Sequence, residues 1–202
     1  MPHRIRPGKK SSNSYFWILS LFLILTGCGL SSIRHPGVVP DTLQAAAKGG
    51  DAKAQMQLAL QCDRDGDLEE AVYWYRLAAE QGVTEAQNNL GVMYKDGQGV
   101  PENEKEAVRW FLQAAHLGNA MAQSNLGWMY QAGKGLRQNN DSACYWYKKA
   151  ARQGHAAAQN NLGIFYRDGI GIACDTDSAR YWFQEAARQG LPQARRNLER
   201  LE

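Results

Sequence analysis

Apolar and small side chains recur with a period of 36 residues through most of this chain. Residues 83–118 read VTEAQNNLGVMYKDGQGVPENEKEAVRWFLQAAHLG, and residues 119–154 and 155–190 repeat their landmarks. The landmarks are a Leu-Gly pair, a Tyr, a Gly-x-Gly loop, a Trp, an Ala-Ala pair and a closing Gly. A fixed period of this size predicts an all-α solenoid, in which each unit is a helical hairpin stacked on its neighbours.

The period divides residues 41–202 into four full units and two half-units. The full units span about 51–82, 83–118, 119–154 and 155–190, and the first has a loop four residues shorter than the others. Residues 41–50 match the second half of a unit, and residues 191–202 match the first half. The half-units are predicted to cap the stack, because an unstacked apolar face would remain exposed.

The first helix of each unit precedes the Gly-x-Gly loop. Ala86, Leu90 and Tyr94 recur at i, i+4 and i+8, which places them on one predicted core face. Gly91 lies beside them, although glycine inside a helix costs about 1 kcal/mol relative to alanine. The return of this glycine in every later unit predicts close approach of a neighbouring helix.

The second helix of each unit is predicted from its N-cap and its tryptophan. Asn103 and the equivalent residues Asn139 and Asp175 are good N-caps, and Glu106 and the earlier pair Asp67 and Glu70 suggest capping boxes. Each unit then carries one tryptophan among alanines at helical spacing, which predicts a buried stripe. These residues are Trp74, Trp110, Trp146 and Trp182.

The repeated string A-x-x-N-L-G-x-x-Y-x-x-G-x-G-V, followed by A-x-x-W-F/Y-x-x-A-A-x-x-G, resembles the Sel1-like repeat. That family is a relative of the tetratricopeptide repeat with a longer, glycine-containing loop. The resemblance covers residues 41–202. It implies a binding scaffold that presents a groove to a peptide or protein partner. The alternative that it leaves open is a hydrolase of the cell wall or of β-lactams, since some cysteine-rich relatives have carried such labels.

The N-terminus has the pattern of a bacterial lipoprotein signal peptide over residues 1–27. Four basic residues in positions 4–10 precede an apolar run at 15–25, which is short for a membrane-spanning helix of about 20 residues. The ending Leu25-Thr26-Gly27-Cys28 resembles a lipobox, which implies lipidation of Cys28. Gly29 in the next position implies transfer to the outer membrane. An uncleaved anchor or an ordinary signal peptide is the alternative, and residues 28–40 are predicted to form a tether.

The net positive charge of the chain comes from its predicted signal peptide. Four of the 23 basic residues lie in residues 1–27, so 19 basic and 20 acidic residues remain in the predicted mature protein. Affinity for nucleic acid needs clustered basic side chains, and this body lacks them. The expected partners are therefore a protein or peptide of the cell envelope and, through the lipid, the membrane.

The residues that would carry catalysis or metal binding do not form a recognisable pattern. The four histidines have no metal-ligand spacing, and no nucleophile elbow, β-lactamase motif or phosphate loop is present. We therefore expect no enzyme activity, no metal and no cofactor. Cys62 is predicted to be a buried apolar residue, whereas stacking of the second helices could bring Cys144 near Cys174 for a disulfide.

A candidate partner site follows from the helical phase of the first helices. If Ala86, Leu90 and Tyr94 face the core, positions 88, 92 and 95 point away from it. Position 92 then gives an apolar ladder whose largest member, Trp128, is the best candidate anchor. Asparagines and a serine flank the ladder and resemble those with which tetratricopeptide domains hold a peptide backbone, and Lys95 and Arg167 supply charge. The ladder is Leu60, Val92, Trp128 and Ile164; its flanking residues are Asn88, Asn89, Ser124, Asn125, Asn160 and Asn161.

Two structural alternatives compete with this site. The asparagines can serve to bridge neighbouring helices, and the ladder can pack against the adjacent unit instead of facing solvent. In either case the side chains would make their contacts within the fold and would not be available to bind a partner.

Overall fold

The computed structural model describes residues 41–201, and in this range the chain forms ten α-helices and no strands. The helices are α1 (Asp41–Lys48), α2 (Ala52–Asp65), α3 (Leu68–Glu80), α4 (Thr84–Asp96), α5 (Glu104–His116), α6 (Ala120–Ala132), α7 (Asn140–Arg152), α8 (Ala156–Asp168), α9 (Thr176–Arg188) and α10 (Pro192–Glu199). The predicted signal peptide, the predicted lipidation site Cys28 and the predicted tether all fall outside the described residues.

The helices pair into four antiparallel hairpins that stack in chain order, which confirms the predicted all-α solenoid. Each hairpin joins a first helix (α2, α4, α6 or α8) to a second helix (α3, α5, α7 or α9), and each second helix also packs on the next first helix. The half-unit helices α1 and α10 pack on the two ends of the stack. The core therefore runs continuously through the hairpins, with alanines where helices approach closely.

In α4, α6 and α8 the helix glycine lies against an aromatic ring of the second helix, which confirms the predicted close approach; α2 has Ala59 at this position. A Cβ atom at Gly91 would lie 2.6 Å from the Phe111 ring, and one at Gly127 would lie 2.8 Å from the Tyr147 ring. Real Cβ atoms do not approach so closely. The glycine thus costs helix propensity but allows the ring to pack flat against the backbone.

The Gly-x-Gly loops do more than reverse the chain. Gly99, Gly135 and Gly171 have φ of +65°, +70° and +63°, and a Cβ atom there would strike the first turn of the second helix in the preceding unit. At the middle junction the carboxylate of Glu104 accepts from the Gly135 amide at 3.0 Å and pairs with Lys134 at 2.6 Å. Each loop is therefore an interface between units as well as a turn.

A buried glutamine in each first helix ties that helix to the unit before it. Its side-chain nitrogen donates to a carbonyl oxygen near the C-terminus of the preceding helix, which also accepts the amide of the glycine that closes that helix. The pairs are Gln55–Ala47, Gln87–Ala79, Gln123–Ala115 and Gln159–Ala151, at 3.0–3.2 Å. The apolar pattern does not predict these bonds, because the residues are polar yet buried.

The predicted N-caps of the second helices are confirmed for Asn103, Asn139 and Asp175, whose side chains accept backbone amides of the first turn. The capping boxes are wrong. Glu106 binds Arg109 instead of closing the box, the Asp67 side chain makes no capping bond, and Glu70 accepts from the Trp74 indole.

The predicted core residues need two corrections. Trp74, Trp110 and Trp146 are buried as predicted, but Trp182, which packs against the core of α7 and α8, is only half-buried. The Tyr at position 94 and its equivalents are also half-buried. The deeply buried residues one position earlier are Met93, Met129 and Phe165.

Candidate functional site

The ladder at position 92 lies on the face of the first helices that points away from the second helices. Trp128 is 40% exposed and Leu60 is 37% exposed, whereas Val92 and Ile164 are half-buried. Val92 packs against the core of the following unit. Both interpretations of the ladder thus hold in part, and Trp128 is its most prominent exposed member. We call the surface formed by Trp128 and its equivalents in the other first helices the ladder face.

The expected exposure of Asn88, Ser124 and Asn160 is wrong, because all three are buried. The core face of each first helix is wider than the stripe at i and i+4 and includes position 88. The Asn125 amide nitrogen donates to Asn88 Oδ1 at 2.9 Å, and Asn197 donates to Asn160 at 2.8 Å. For these residues the bridging alternative is confirmed.

Hydrogen bonds through these asparagines connect the second and third units, and a further bond lies within the first unit. Asn125 donates to Asn88, Asn88 donates to Asn89 at 3.2 Å, and the Tyr75 hydroxyl donates to Asp63 at 3.3 Å. Burial raises the pKa of Tyr75 to about 12, and a hydrogen bond with Asn89 works in the opposite direction. Hydrogen bonds between side chains of neighbouring helices rigidify a stack, so the asparagines serve the fold first.

One buried position of the second helices is alternately tyrosine and phenylalanine along the stack. The first-helix residue next to it alternates between a hydrogen-bond acceptor and a cation. Tyr75 donates to Asp63, and Tyr147 donates to Gln131 at 2.8 Å. Phe111 and Phe183 occupy the same position in the other two units, where Lys95 and Arg167 replace the acceptors. Lysine and arginine have no acceptor for a tyrosine hydroxyl, so the apolar ring is the compatible partner.

Among the described residues Lys95 and Arg167 do not hydrogen-bond to a tyrosine hydroxyl, and they form ion pairs at the rim of the ladder face instead. Lys95 Nζ lies 2.9 Å from Asp96, and Arg167 Nε lies 2.7 Å from Asp168. Lys95 Nζ also lies 5.5 Å from the centroid of the Trp128 ring, within range of a cation–π contact. Both predicted rim charges are therefore present next to the ladder, each with an acidic neighbour.

Two exposed apolar residues were not identified from the sequence. Met121 is 45% exposed one helical turn before Asn125, and Leu117 is 63% exposed in the turn between α5 and α6. The equivalents of Leu117 in the other units are Gln81, Gln153 and Gln189. The signal that could have found both residues is their departure from the repeat at otherwise polar or small positions.

The disulfide that the sequence left open between Cys144 and Cys174 is not formed. Cys144 is buried, Cys174 is exposed, and both are free, as is Cys62. Cys174 lies in the loop, where its Sγ donates to the Arg167 carbonyl at 3.1 Å. Cys62 is the buried apolar residue that the repeat predicts, and burial raises the pKa of its thiol to about 11. A thiol with so high a pKa is a poor nucleophile.

Within residues 41–201 no group of His, Cys, Asp and Glu is arranged to hold a metal ion. The helices of this range also lack the length and hydropathy of a membrane span.

Repeat number, hairpin geometry and glycine-containing loops define the class of this protein as an α-solenoid of helical hairpins. The Sel1 repeat model matches residues 52–83, 84–119, 120–155 and 156–191, and the chain belongs to the Sel1 repeat family. These units begin one residue later than those assigned from the period. Comparison with curated protein sequences gives no match.

Several solved structures share the fold. A protective antigen of uropathogenic Escherichia coli strains, which displays an SLR fold, is 39% identical with a TM-score of 0.73, and the alignment covers 76% of this chain and 34% of that one. A Sel1 repeat protein from Oxalobacter formigenes is 35% identical with a TM-score of 0.73, covering 77% and 64%. Helicobacter pylori cysteine-rich protein B is 23% identical with a TM-score of 0.50, covering 61% and 97%. The chain thus spans less than two thirds of the length of the first two relatives.

Proposed function

We propose that this protein is a scaffold of the bacterial cell envelope that binds a peptide or protein segment across its ladder face. Sel1 repeats generally mediate protein–protein interaction, and this chain has four of them. In the proposal the stacked hairpins supply a rigid surface, and the partner supplies the segment that covers it. No specific observation favours the alternative hydrolase, so we propose no second function.

The observation that carries the proposal is the exposed indole of Trp128. Binding energy at protein interfaces concentrates in central aromatic anchors, and Trp128 lies in the third of four units, near the middle of the stack. Its neighbours along the ladder are apolar as well.

We further propose that Cys28 anchors the scaffold to the outer membrane. The support is the sequence Leu25-Thr26-Gly27-Cys28 after a basic and then apolar segment. Acyl chains contribute about 0.8 kcal/mol per buried methylene, so several chains give stable attachment. Replacement of Cys28 by Ser should release the protein from the outer-membrane fraction. Full retention of the variant in that fraction would contradict the anchor.

Site-specific photo-crosslinking in the native host tests the scaffold proposal. A photoreactive residue in place of Trp128 should give discrete protein adducts, because the partner would cover that position. The matched control replaces Tyr145, which is 52% exposed on the second helix of the same unit. Equal adduct patterns at the two positions, or none at position 128, would contradict binding at the ladder face.

A further inference from the structure

Helix α6 differs from every other described helix, because it contains no Asp, Glu, Lys or Arg. A helix that is uncharged and apolar on all sides is normally buried on all sides. Helix α6 is not, since the Met121 and Trp128 side chains are both exposed. An uncharged helix with an exposed apolar face is the arrangement expected of a surface that another chain covers.

The exposed residues of α6 share one face. Met121, Asn125 and Trp128 stand at i, i+4 and i+7, so they line up along the ladder face. The next first helix, α8, continues the surface with Ala157 and Ile164, which are also uncharged and at least partly exposed. Two adjacent units thus contribute an apolar strip that contains no formal charge.

The nearest cations do not give this strip a net charge. Lys95 is paired with Asp96, and Arg167 is paired with Asp168 by two hydrogen bonds of 2.7 and 2.8 Å. A charged segment would therefore lose hydration on binding without meeting an unneutralised charge. Because the surface carries no net charge, it favours an uncharged partner segment.

One polar group on this face remains available to a ligand. The Asn125 nitrogen is used in the bond to Asn88, and no group in the described part of the chain donates to Asn125 Oδ1. In the preceding unit the equivalent oxygen, Asn89 Oδ1, accepts from the Asn88 amide at 3.2 Å, but α6 has Ser124 in place of Asn88. Asn125 therefore presents a fixed acceptor between Met121 and Trp128.

We infer that the α6 face binds an uncharged, apolar peptide segment that places side chains on Met121 and Trp128 and donates an N–H to Asn125. This inference rests on the proposed scaffold function and names the chemical class of its partner. Apolar contact supplies most of the affinity, and the single acceptor fixes the position of the peptide backbone. Such binding depends little on salt, since no unscreened charges meet.

Selection of a random peptide library on phage against the purified full chain tests the inference. The enriched peptides should be apolar and without net charge. Each should lose affinity about tenfold or more with Trp128→Ala or Met121→Glu, and about fivefold with Asn125→Ala. Tyr145→Ala is the matched control, which removes an exposed aromatic side chain from the second helix and should leave binding unchanged. Circular dichroism of each variant checks that the fold is retained.

A second measurement follows the affinity of an enriched peptide as salt rises from about 0.05 M to about 0.5 M. The expected change is less than about twofold. Peptides that bind the ladder face but carry net charge, or that weaken about tenfold with salt, would overturn the neutral class and leave the scaffold proposal standing. Peptides that ignore Trp128→Ala and Met121→Glu but respond to Leu60→Glu would overturn the assignment to α6 alone. Peptides that tolerate all ladder-face variants would overturn both proposals.

Discussion

Leu117 stands where three other units have a glutamine, and the buried Oε1 atom of Gln87 consequently has no hydrogen-bond donor. In the other units the glutamine at this position donates to the buried glutamine of the first helix, as Gln81 does to Gln55 and Gln153 does to Gln123, both at 2.7 Å. Gln87 is one of the few buried side chains of the described residues that lacks such a partner. The second unit has therefore lost a bond and gained an exposed apolar side chain.

Replacement of Leu117 by Gln should restore the missing bond. Leaving a buried acceptor unsatisfied costs about 1–3 kcal/mol, so we expect the free energy of unfolding to rise by about 1 kcal/mol. Urea denaturation of the parent and Leu117→Gln measures the difference. Leu117→Ala serves as the control, since it removes the exposed leucine without supplying a donor. Equal stability of the Gln and Ala variants would contradict the proposed defect.

Alternation between tyrosine and phenylalanine can be tested by converting one type of unit into the other. Phe111→Tyr places a hydroxyl next to Lys95, which cannot accept from it, and should lower the free energy of unfolding by about 1 kcal/mol. The added substitution Lys95→Gln reproduces the pair Tyr147–Gln131 and should recover most of this loss. A double-mutant cycle gives the coupling. Coupling near zero would show that the two positions vary independently.

The buried tryptophans are expected to hold the stack together. Trp146→Ala should cost about 3–5 kcal/mol, because it removes a large side chain from the interior and leaves a cavity. Tyr145→Ala, at the exposed neighbouring position, should cost far less. Thermal unfolding by circular dichroism compares the two. A Trp146→Ala variant that melts with the parent would mean that the second helix does not depend on this contact.

The ion pair between Glu104 and Lys134 should make the middle junction sensitive to acid. The hydrogen bond from Lys134 lowers the pKa of Glu104, so the folded state binds its proton more weakly than the unfolded state does. The contribution is fully present above the ordinary glutamate pKa of about 4.3 and is lost as pH falls through the lower folded value.

Glu104→Gln keeps an acceptor for the Gly135 amide but removes the charge. The difference in unfolding free energy between the parent and this variant should therefore be present at neutral pH and shrink as the pH falls below about 4. Denaturant titrations at several pH values measure it. A difference that stays constant into acid would show that the charge of Glu104 contributes nothing.

The fold was predictable from the sequence because each landmark has a local physical cause. Gly91 returns where an aromatic ring needs the space, and Asn103 returns where a helix begins, so each unit confirms the interpretation of the others. Interactions between units were harder to predict. The bond from Asn125 to Asn88 joins residues 37 positions apart, and one helical phase angle decides whether Asn88 faces solvent or the next helix.

Trp128 was predictable because it breaks the size pattern of its ladder. Met121 was missed because its position lies outside the stripe defined by position 92, and the only signal for it is that the two preceding units have the charged residues Lys53 and Glu85 there. A disulfide between Cys144 and Cys174 is also prevented by geometry. Equivalent spacing in neighbouring units brings helices together, yet Cys144 points into the core while Cys174 lies in an exposed loop.

The affinity of a partner captured at position 128 is the measurement that tests the account most directly. The partner would be identified by photo-crosslinking, purified, and titrated against the parent, Trp128→Ala and Tyr145→Ala. If Trp128 anchors the partner, Trp128→Ala should keep the thermal transition of the parent and weaken binding by about 2 kcal/mol, or roughly 30-fold, while Tyr145→Ala binds as the parent does. A folded Trp128→Ala variant with undiminished affinity would contradict the account.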